Sequence, residues 1–220
     1  AGLPLLIEAF RTSGAAAVLD ASVVIKRRRR GLPASQLVEG LFSLWAAGGE
    51  RCEDLAQLRE DVALALLLGH GLPAPQTARD FLDEAVPPLW QGERCRVQGE
   101  GDRLQGLAKA SRQLVAWLQE RSPQAVATID VDASILESQK RSALATYDGR
   151  TGYQPVVALW AEQDVVLADE FRDGNVPAGS GNRRVVEQAL AMLPLGVDRI
   201  FVRGDSALYE QALLRWLEAR

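Results

Sequence analysis

The chain has 220 residues, of which 47% are hydrophobic and 25% are charged, and its formal net charge at pH 7 is −4. This length and composition allow one or two domains with a buried core, and the mild negative charge argues against a protein that coats polyanions over its whole surface. The two cysteines, Cys52 and Cys95, have no metal-type spacing, which argues against a disulfide framework and fits a reducing cytoplasm. No apolar run approaches the ~20 residues of a membrane span, and the N-terminal sequence has no basic flank typical of a signal peptide.

The first 120 residues carry apolar side chains at helical spacing, with Gly and Pro between the periodic segments. This pattern predicts helices over residues 35–45, 53–68, 75–86 and 104–120. The segment 53–68 has the clearest pattern, because its acids cluster early and Gly69 follows its last apolar residue.

Two parts of this helical region are candidates for DNA contact. A basic run is dense enough to neutralise several phosphates, although a solvated helix end or a flexible tail explains it equally well. Its residues are Lys26, Arg27, Arg28, Arg29 and Arg30. The helices 53–68 and 75–86 could form a helix-turn-helix, but their long turn favours a plain helical hairpin. The side chains that a helix-turn-helix would present to a groove are Gln76, Thr77, Arg79 and Asp80.

A domain boundary is predicted near residue 122, where the apolar period changes from that of a helix to that of a strand. The later pattern predicts strands at 126–136, 153–160, 164–171 and 198–204, and helices at 183–193 and 207–219. Three strands followed by helix, strand and helix is the opening order of an RNase H-like fold. We therefore expect an α/β (α+β) protein, with a helical region at 1–122 and an incomplete RNase H-like mixed-sheet domain at 123–220.

The strand predicted at 126–136 carries acidic residues on one face. Because side chains alternate along a strand, Asp130 and Asp132 share a face, while Ile129 and Val131 point to the other. A second apolar run ends in Asp205, where a helix is predicted to begin. If the two strands are neighbours, their carboxylates can share a hard cation such as Mg²⁺, which takes oxygen ligands. Alternatively, Asp205 is only the N-cap of that helix, and Asp130 only faces solvent.

Four short segments resemble motifs of the DDE transposases of bacterial insertion sequences, in the same order and at similar spacing. They lie at residues 128–134, 152–155, 170–179 and 202–206, and the region 48–77 resembles the helical N-terminal part of the same proteins. The resemblance implies DNA strand cleavage and strand transfer with Mg²⁺ or Mn²⁺ as cofactor. It also implies double-stranded DNA as partner, both the terminal inverted repeats and the target. A bacterial cytoplasmic, nucleoid-associated location is implied as well, and a homodimer is compatible with it.

The resemblance assigns roles to individual residues. Asp132 is the best match to the first catalytic, metal-binding acid, with Asp130 as the rival, and Asp205 matches the second. The third acid of the family, a Glu on a later helix, has no counterpart, so the resemblance implies a fragment or a truncated copy. Arg183 and Arg184, together with Arg172, flank the loop beside this site and are expected at the surface, where they could contact a DNA backbone.

Two other functions fit parts of the pattern. One is a non-catalytic remnant that binds DNA or oligomerises, which the missing Glu makes reasonable. The other is a phosphohydrolase similar to the haloacid dehalogenases, in which Asp130 would be the nucleophile and Asp205 would follow the last strand. Such an enzyme should have a helical crossover after the first strand and a lysine shortly before Asp205. The strand-like sequence after residue 136 and the position of the last lysine, Lys140, argue against it.

Overall fold

The computed structural model describes residues 2–25, 31–85 and 101–219. These residues belong to two compact units, which divide between Leu114 and Val115. Among the described helices, none is long and apolar enough to cross a membrane.

The first unit is helical. Its helices are α1 (Leu3–Thr12), α2 (Ala15–Ser22), α3 (Ala34–Ala46), α4 (Leu55–Leu58), α5 (Val62–Leu68), α6 (Pro75–Ala85) and the first part of α7 (Asp102–Arg121), with a 3₁₀ turn at Cys52–Asp54. The helices predicted at 35–45, 75–86 and 104–120 are confirmed to within two residues at each end. Leu19, Leu37, Leu44 and Phe81 are buried in the main core of this unit.

The helix predicted over 53–68 is wrong as a single element. The segment contains a 3₁₀ turn and the short α4, and α5 is a separate helix that begins after Asp61. The Oδ1 atom of Asp61 accepts a hydrogen bond from the Leu64 amide at 3.0 Å. An Asp in this place satisfies an otherwise unpaired helix N–H, so it starts a helix rather than continuing one. The break allows Leu55 and Leu64 to be buried in different apolar clusters.

The second unit contains two sheets. Its elements are β1 (Val126–Ala133), β2 (Leu136–Glu137), β3 (Leu144–Ala145), β4 (Thr151–Tyr153), β5 (Val156–Trp160), β6 (Val165–Glu170), α8 (Asn182–Met192), β7 (Arg199–Gly204), a 3₁₀ turn at Ser206–Leu208 and α9 (Gln211–Glu218). The larger sheet has the order β6-β5-β1-β7, in which β1 is antiparallel to β5 and parallel to β7. The smaller sheet has the order β2-β4-β3. This order of elements agrees with the predicted α/β fold.

Three of the elements predicted in this unit are longer than the observed ones. The first strand ends at Ala133, and the strand predicted at 153–160 is two strands separated by Gln154 and Pro155. The helix predicted at 207–219 begins at Gln211, because the 3₁₀ turn occupies the preceding residues.

One face of the larger sheet forms the core of the second unit. Ile129 and Val131 of β1 and Trp160 of β5 are buried together with Val185 and Ala189 of α8. Burying a Val or Ile side chain contributes about 1.5–3 kcal/mol, so the apolar contacts of α8 stabilise its packing on this face of the sheet. The opposite face of β1 carries the polar side chains, as the alternating pattern predicted.

Candidate active site

The strands β1 and β7 place two acids next to each other at one edge of the sheet. The parallel register of β1 and β7 pairs Asp130 with Arg203 and Val131 with Gly204. Asp132 and Asp205 are the residues that follow the last of these pairs. Neighbouring strands lie about 4.7–4.9 Å apart. Both acids are exposed, and both line the same small pocket.

The close approach of β7 to β1 requires a glycine before Asp205. A Cβ atom on Gly204 would lie 2.9 Å from the carbonyl oxygen of Val131, closer than a real Cβ contact. Any side chain here would therefore push apart the two strands that carry the acids. This steric requirement explains the glycine of the 202–206 segment.

Asp205 also has a structural role. Its Oδ1 accepts a hydrogen bond from the Ala207 amide at 2.8 Å, which stabilises the 3₁₀ turn after β7. Asp205 is therefore an N-cap through one carboxylate oxygen, but of the 3₁₀ turn and not of the predicted helix, which begins at Gln211. Within the described residues, nothing is hydrogen-bonded to the other oxygen, Oδ2, so Asp205 can cap the turn and still bind a ligand.

Asp130 and Asp132 share a face of β1 but differ in their partners. Asp130 forms a two-pronged ion pair with Arg203, with Nε–Oδ1 and Nη2–Oδ2 distances of 2.5 and 2.6 Å. The hydrogen bonds from Arg203 hold the pKa of Asp130 below its usual range. The side chain of Asp132, by contrast, has neither a hydrogen bond nor an ion pair to any residue that the structure describes.

The pocket has a volume of about 10 Å³, which is room for about one water molecule or ion. Besides the two acids, it is lined by Ala178, Asn182 and Leu208, among others. Pockets for organic ligands are typically ~300–1,000 Å³, so this one does not fit a small organic substrate. Asn182, the first residue of α8, is not among the site residues predicted from the sequence.

An ion-pair network around the buried Glu170 fixes the loop at 171–181, which contributes Ala178 to the pocket. Glu170, at the end of β6, accepts hydrogen bonds from Arg172 Nε at 2.6 Å and from Arg184 Nε at 2.5 Å. Arg172 Nη1 in turn donates to the carbonyl oxygen of Ala178, a pocket residue, at 3.4 Å. The carboxylate of Glu170 raises the pKa of the Arg184 guanidinium above its ordinary value.

The expectation of a surface position for Arg172 is wrong. Its side chain is 0% exposed, because Glu170 neutralises it in the interior. Arg183 and Arg184 are half exposed, and both have partners inside the protein. Arg183 pairs with Glu187 at 3.0 Å, and its guanidinium carbon lies 5.1 Å from the ring centroid of Trp216.

The residues predicted to contact DNA in the helical unit have varied environments. On α6, Gln76 donates to Asp80 at 2.7 Å, Arg79 pairs with Glu53, and Thr77 is half-buried. The basic run 26–30 lies outside the described residues.

The described part of the chain contains no group of three or more His, Cys, Asp or Glu side chains placed to hold a metal ion. If Asp132 and Asp205 hold a metal ion, any third ligand from the described residues must be a group other than a His, Cys, Asp or Glu side chain.

The phosphohydrolase alternative does not fit the observed topology. The short strands β2, β3 and β4 follow β1, and the next strand of the larger sheet, β5, is antiparallel to β1. A helical crossover to a parallel strand was expected for that class of enzyme.

The sequence also matches the model of a known protein family. A family model described as transposase DDE domain, group 1, matches residues 1–220, which is the whole sequence. No curated protein and no solved structure gives a significant match.

Proposed function

The chain belongs to the DDE transposase family, and we propose that Asp132 and Asp205 are metal-binding acids for DNA strand cleavage and strand transfer. The observation that carries this proposal is the register of β1 and β7, which makes these acids neighbours at one pocket. The ends of adjacent strands in a packed sheet provide the rigid support that in-line phosphoryl transfer requires.

The ion pair of Asp130 supports Asp132 as the first acid. Arg203 already neutralises Asp130, and its two hydrogen bonds occupy both carboxylate oxygens. A metal ion at Asp130 would have to displace this arginine or lie beside its positive charge. The side chain of Asp132 has no such competitor among the described residues, and Asp132 lines the pocket whereas Asp130 does not.

The donor set fits a hard divalent cation. Members of the family use divalent metals, and the two acids offer carboxylate oxygens, which Mg²⁺ and Mn²⁺ accept as ligands. Such an ion, when bound, would neutralise the charge that develops on the phosphate and activate the attacking oxygen. The protein's own contribution is to hold the two carboxylates in place, Asp132 by β1 and Asp205 by its capping bond to Ala207.

The DNA partner is expected to be the double-stranded ends of an insertion sequence, with target DNA in strand transfer. We propose that the helical region 1–122 contacts DNA or mediates assembly, with the basic run 26–30 as its main phosphate contact. Affinity should then fall steeply as salt increases, because phosphate neutralisation releases counterions. The homodimer and the cytoplasmic, nucleoid-associated location stay predictions.

A cleavage assay tests the proposal directly. The full-length protein is incubated with a supercoiled plasmid that carries the DNA flanking its own gene, in Mg²⁺ or in EDTA. We expect Mg²⁺-dependent nicks at the element ends, which Asp132→Asn and Asp205→Asn abolish while DNA binding persists. Asp130→Asn is the matched control, because it removes an acid from the same face and should leave cleavage within a few-fold of wild type.

Two results would count against catalysis at these acids. Cleavage that survives both Asp132→Asn and Asp205→Asn would show that the acids are assigned wrongly. Salt-sensitive DNA binding without any Mg²⁺-dependent nicking by the unsubstituted protein would favour the non-catalytic alternative.

A further inference from the structure

We propose that Asn182 is a third oxygen donor of the metal site, through its side-chain Oδ1. This inference rests on the proposed function of Asp132 and Asp205 and adds a neutral ligand to their two carboxylates. It assigns a role to a residue type other than His, Cys, Asp and Glu.

The orientation of the Asn182 amide follows from its hydrogen bond. The residue is 1% exposed, and its Nδ2 donates to the carbonyl oxygen of Ala207 at 3.1 Å. A carbonyl oxygen can only accept, so the amide must place its NH₂ group there. The oxygen Oδ1 therefore occupies the other position.

This oxygen is buried and unsatisfied. Among the described residues, none donates a hydrogen bond to Asn182 Oδ1. A buried acceptor without a partner destabilises a protein, so it is rarely left in that state unless a ligand completes it. Asn182 lines the same pocket as Asp132 and Asp205, where a bound cation or one of its water molecules would provide that partner.

Amide oxygens are suitable ligands for this purpose. Hard divalent cations accept side-chain carbonyl oxygens as well as carboxylates, and Mg²⁺ retains several water molecules that donate hydrogen bonds. Asn182 would thus add an oxygen without adding a third negative charge to a pair of acids that already repel each other.

Asn182 has a second contact with the site, which the test must separate from the first. Its NH₂ group binds the carbonyl of Ala207, and the amide of Ala207 binds the Asp205 carboxylate. Asn182 could therefore act only by positioning the turn that carries Asp205. The NH₂ group serves this positioning role, whereas Oδ1 serves the proposed ligand role.

Two substitutions distinguish these roles, because both remove the NH₂ group but only one removes the oxygen. Mn²⁺ binding to the full chain is measured by electron paramagnetic resonance of the free ion for wild type, Asn182→Ala and Asn182→Asp. Loss of a group that supports a metal typically weakens affinity about 10–100-fold. We expect at least a 10-fold loss for Asn182→Ala, and affinity equal to or above wild type for Asn182→Asp.

The outcomes separate this inference from the function on which it rests. A similar loss of Mn²⁺ affinity in both variants would overturn the ligand role, since positioning alone would explain it. If Asn182→Ala fails to fold, Asn182→Asp decides alone, and a 10-fold weaker Mn²⁺ affinity of that variant overturns the proposal.

If wild type binds Mn²⁺ and only Asp132→Asn and Asp205→Asn reduce that binding, the metal site stands without Asn182. If wild type binds no Mn²⁺, the metal site and the inference both fail.

Discussion

The substitution Glu170→Gln should destabilise the protein strongly, although it changes neither size nor shape. Glu170 is 6% exposed and is the ion-pair partner of Arg172, whose side chain is 0% exposed. Removing one member of a buried pair leaves an uncompensated charge and costs about 3–5 kcal/mol. Arg184, the other partner, is 50% exposed and can turn to water, so its lost pair adds little.

Urea denaturation followed by tryptophan fluorescence measures this loss. With an m value of about 1–3 kcal/mol/M, a loss of 3 kcal/mol lowers the midpoint by at least about 1 M. The matched control is Glu187→Gln, which breaks the exposed pair with Arg183 and should cost only about 0.3–0.5 kcal/mol. The double variant Glu170→Gln/Arg172→Met should recover most of the stability, because it removes both charges. If Glu170→Gln cost no more than the control, the reasoning about the buried Arg172 would be refuted.

Two further predictions concern other parts of the chain. Gly40→Ala should lower the thermal midpoint, because the new Cβ would lie 2.5 Å from Cδ of Pro73, and overpacking of about 1–3 kcal/mol exceeds the helix-propensity gain of about 1 kcal/mol. Gly71→Ala, with no atom within 4 Å of the new Cβ, is the control, and equal midpoints for the two variants would contradict the clash. Hydrogen bonds, first from Arg150, lower the pKa of Asp148 from 3.8 to about 2, so its stabilisation is present above pH 3.8 and is lost as the pH falls through about 2. Carboxyl NMR should show that Arg150→Gln raises this pKa towards 3.8, and an unchanged titration would exclude Arg150 as the cause.

The fold class was predictable because strand alternation and helix periodicity are local properties of the sequence. The alternation around Ile129 and Asp130 predicts which face of β1 is buried, and the structure confirms it. The break at Asp61 was missed because apolar spacing continues through it, while its capping hydrogen bond depends on the backbone.

The candidate site was predictable only in part. The sequence indicates Asp132 and Asp205 as acids on strands, but their common pocket depends on the pairing of β1 with β7 across a long stretch of chain. The preference for Asp132 over Asp130 is a proposal that depends on the position of Arg203, which the sequence does not indicate. Asn182 follows a glycine at the start of a helix, which is an ordinary sequence context. Its relation to the site arises only from the fold.

The central claim is that Asp132 and Asp205 bind one divalent cation together, and iron-directed cleavage of the polypeptide tests it most directly. Fe²⁺ replaces Mg²⁺ at such sites, and with ascorbate and peroxide it generates radicals that cut the backbone nearby. Mass spectrometry should find cuts near residues 132 and 205, which Mg²⁺ suppresses and which Asp132→Asn removes while Asp130→Asn does not. Cuts at other places, or cuts near these residues that persist in Asp132→Asn, would contradict the claim.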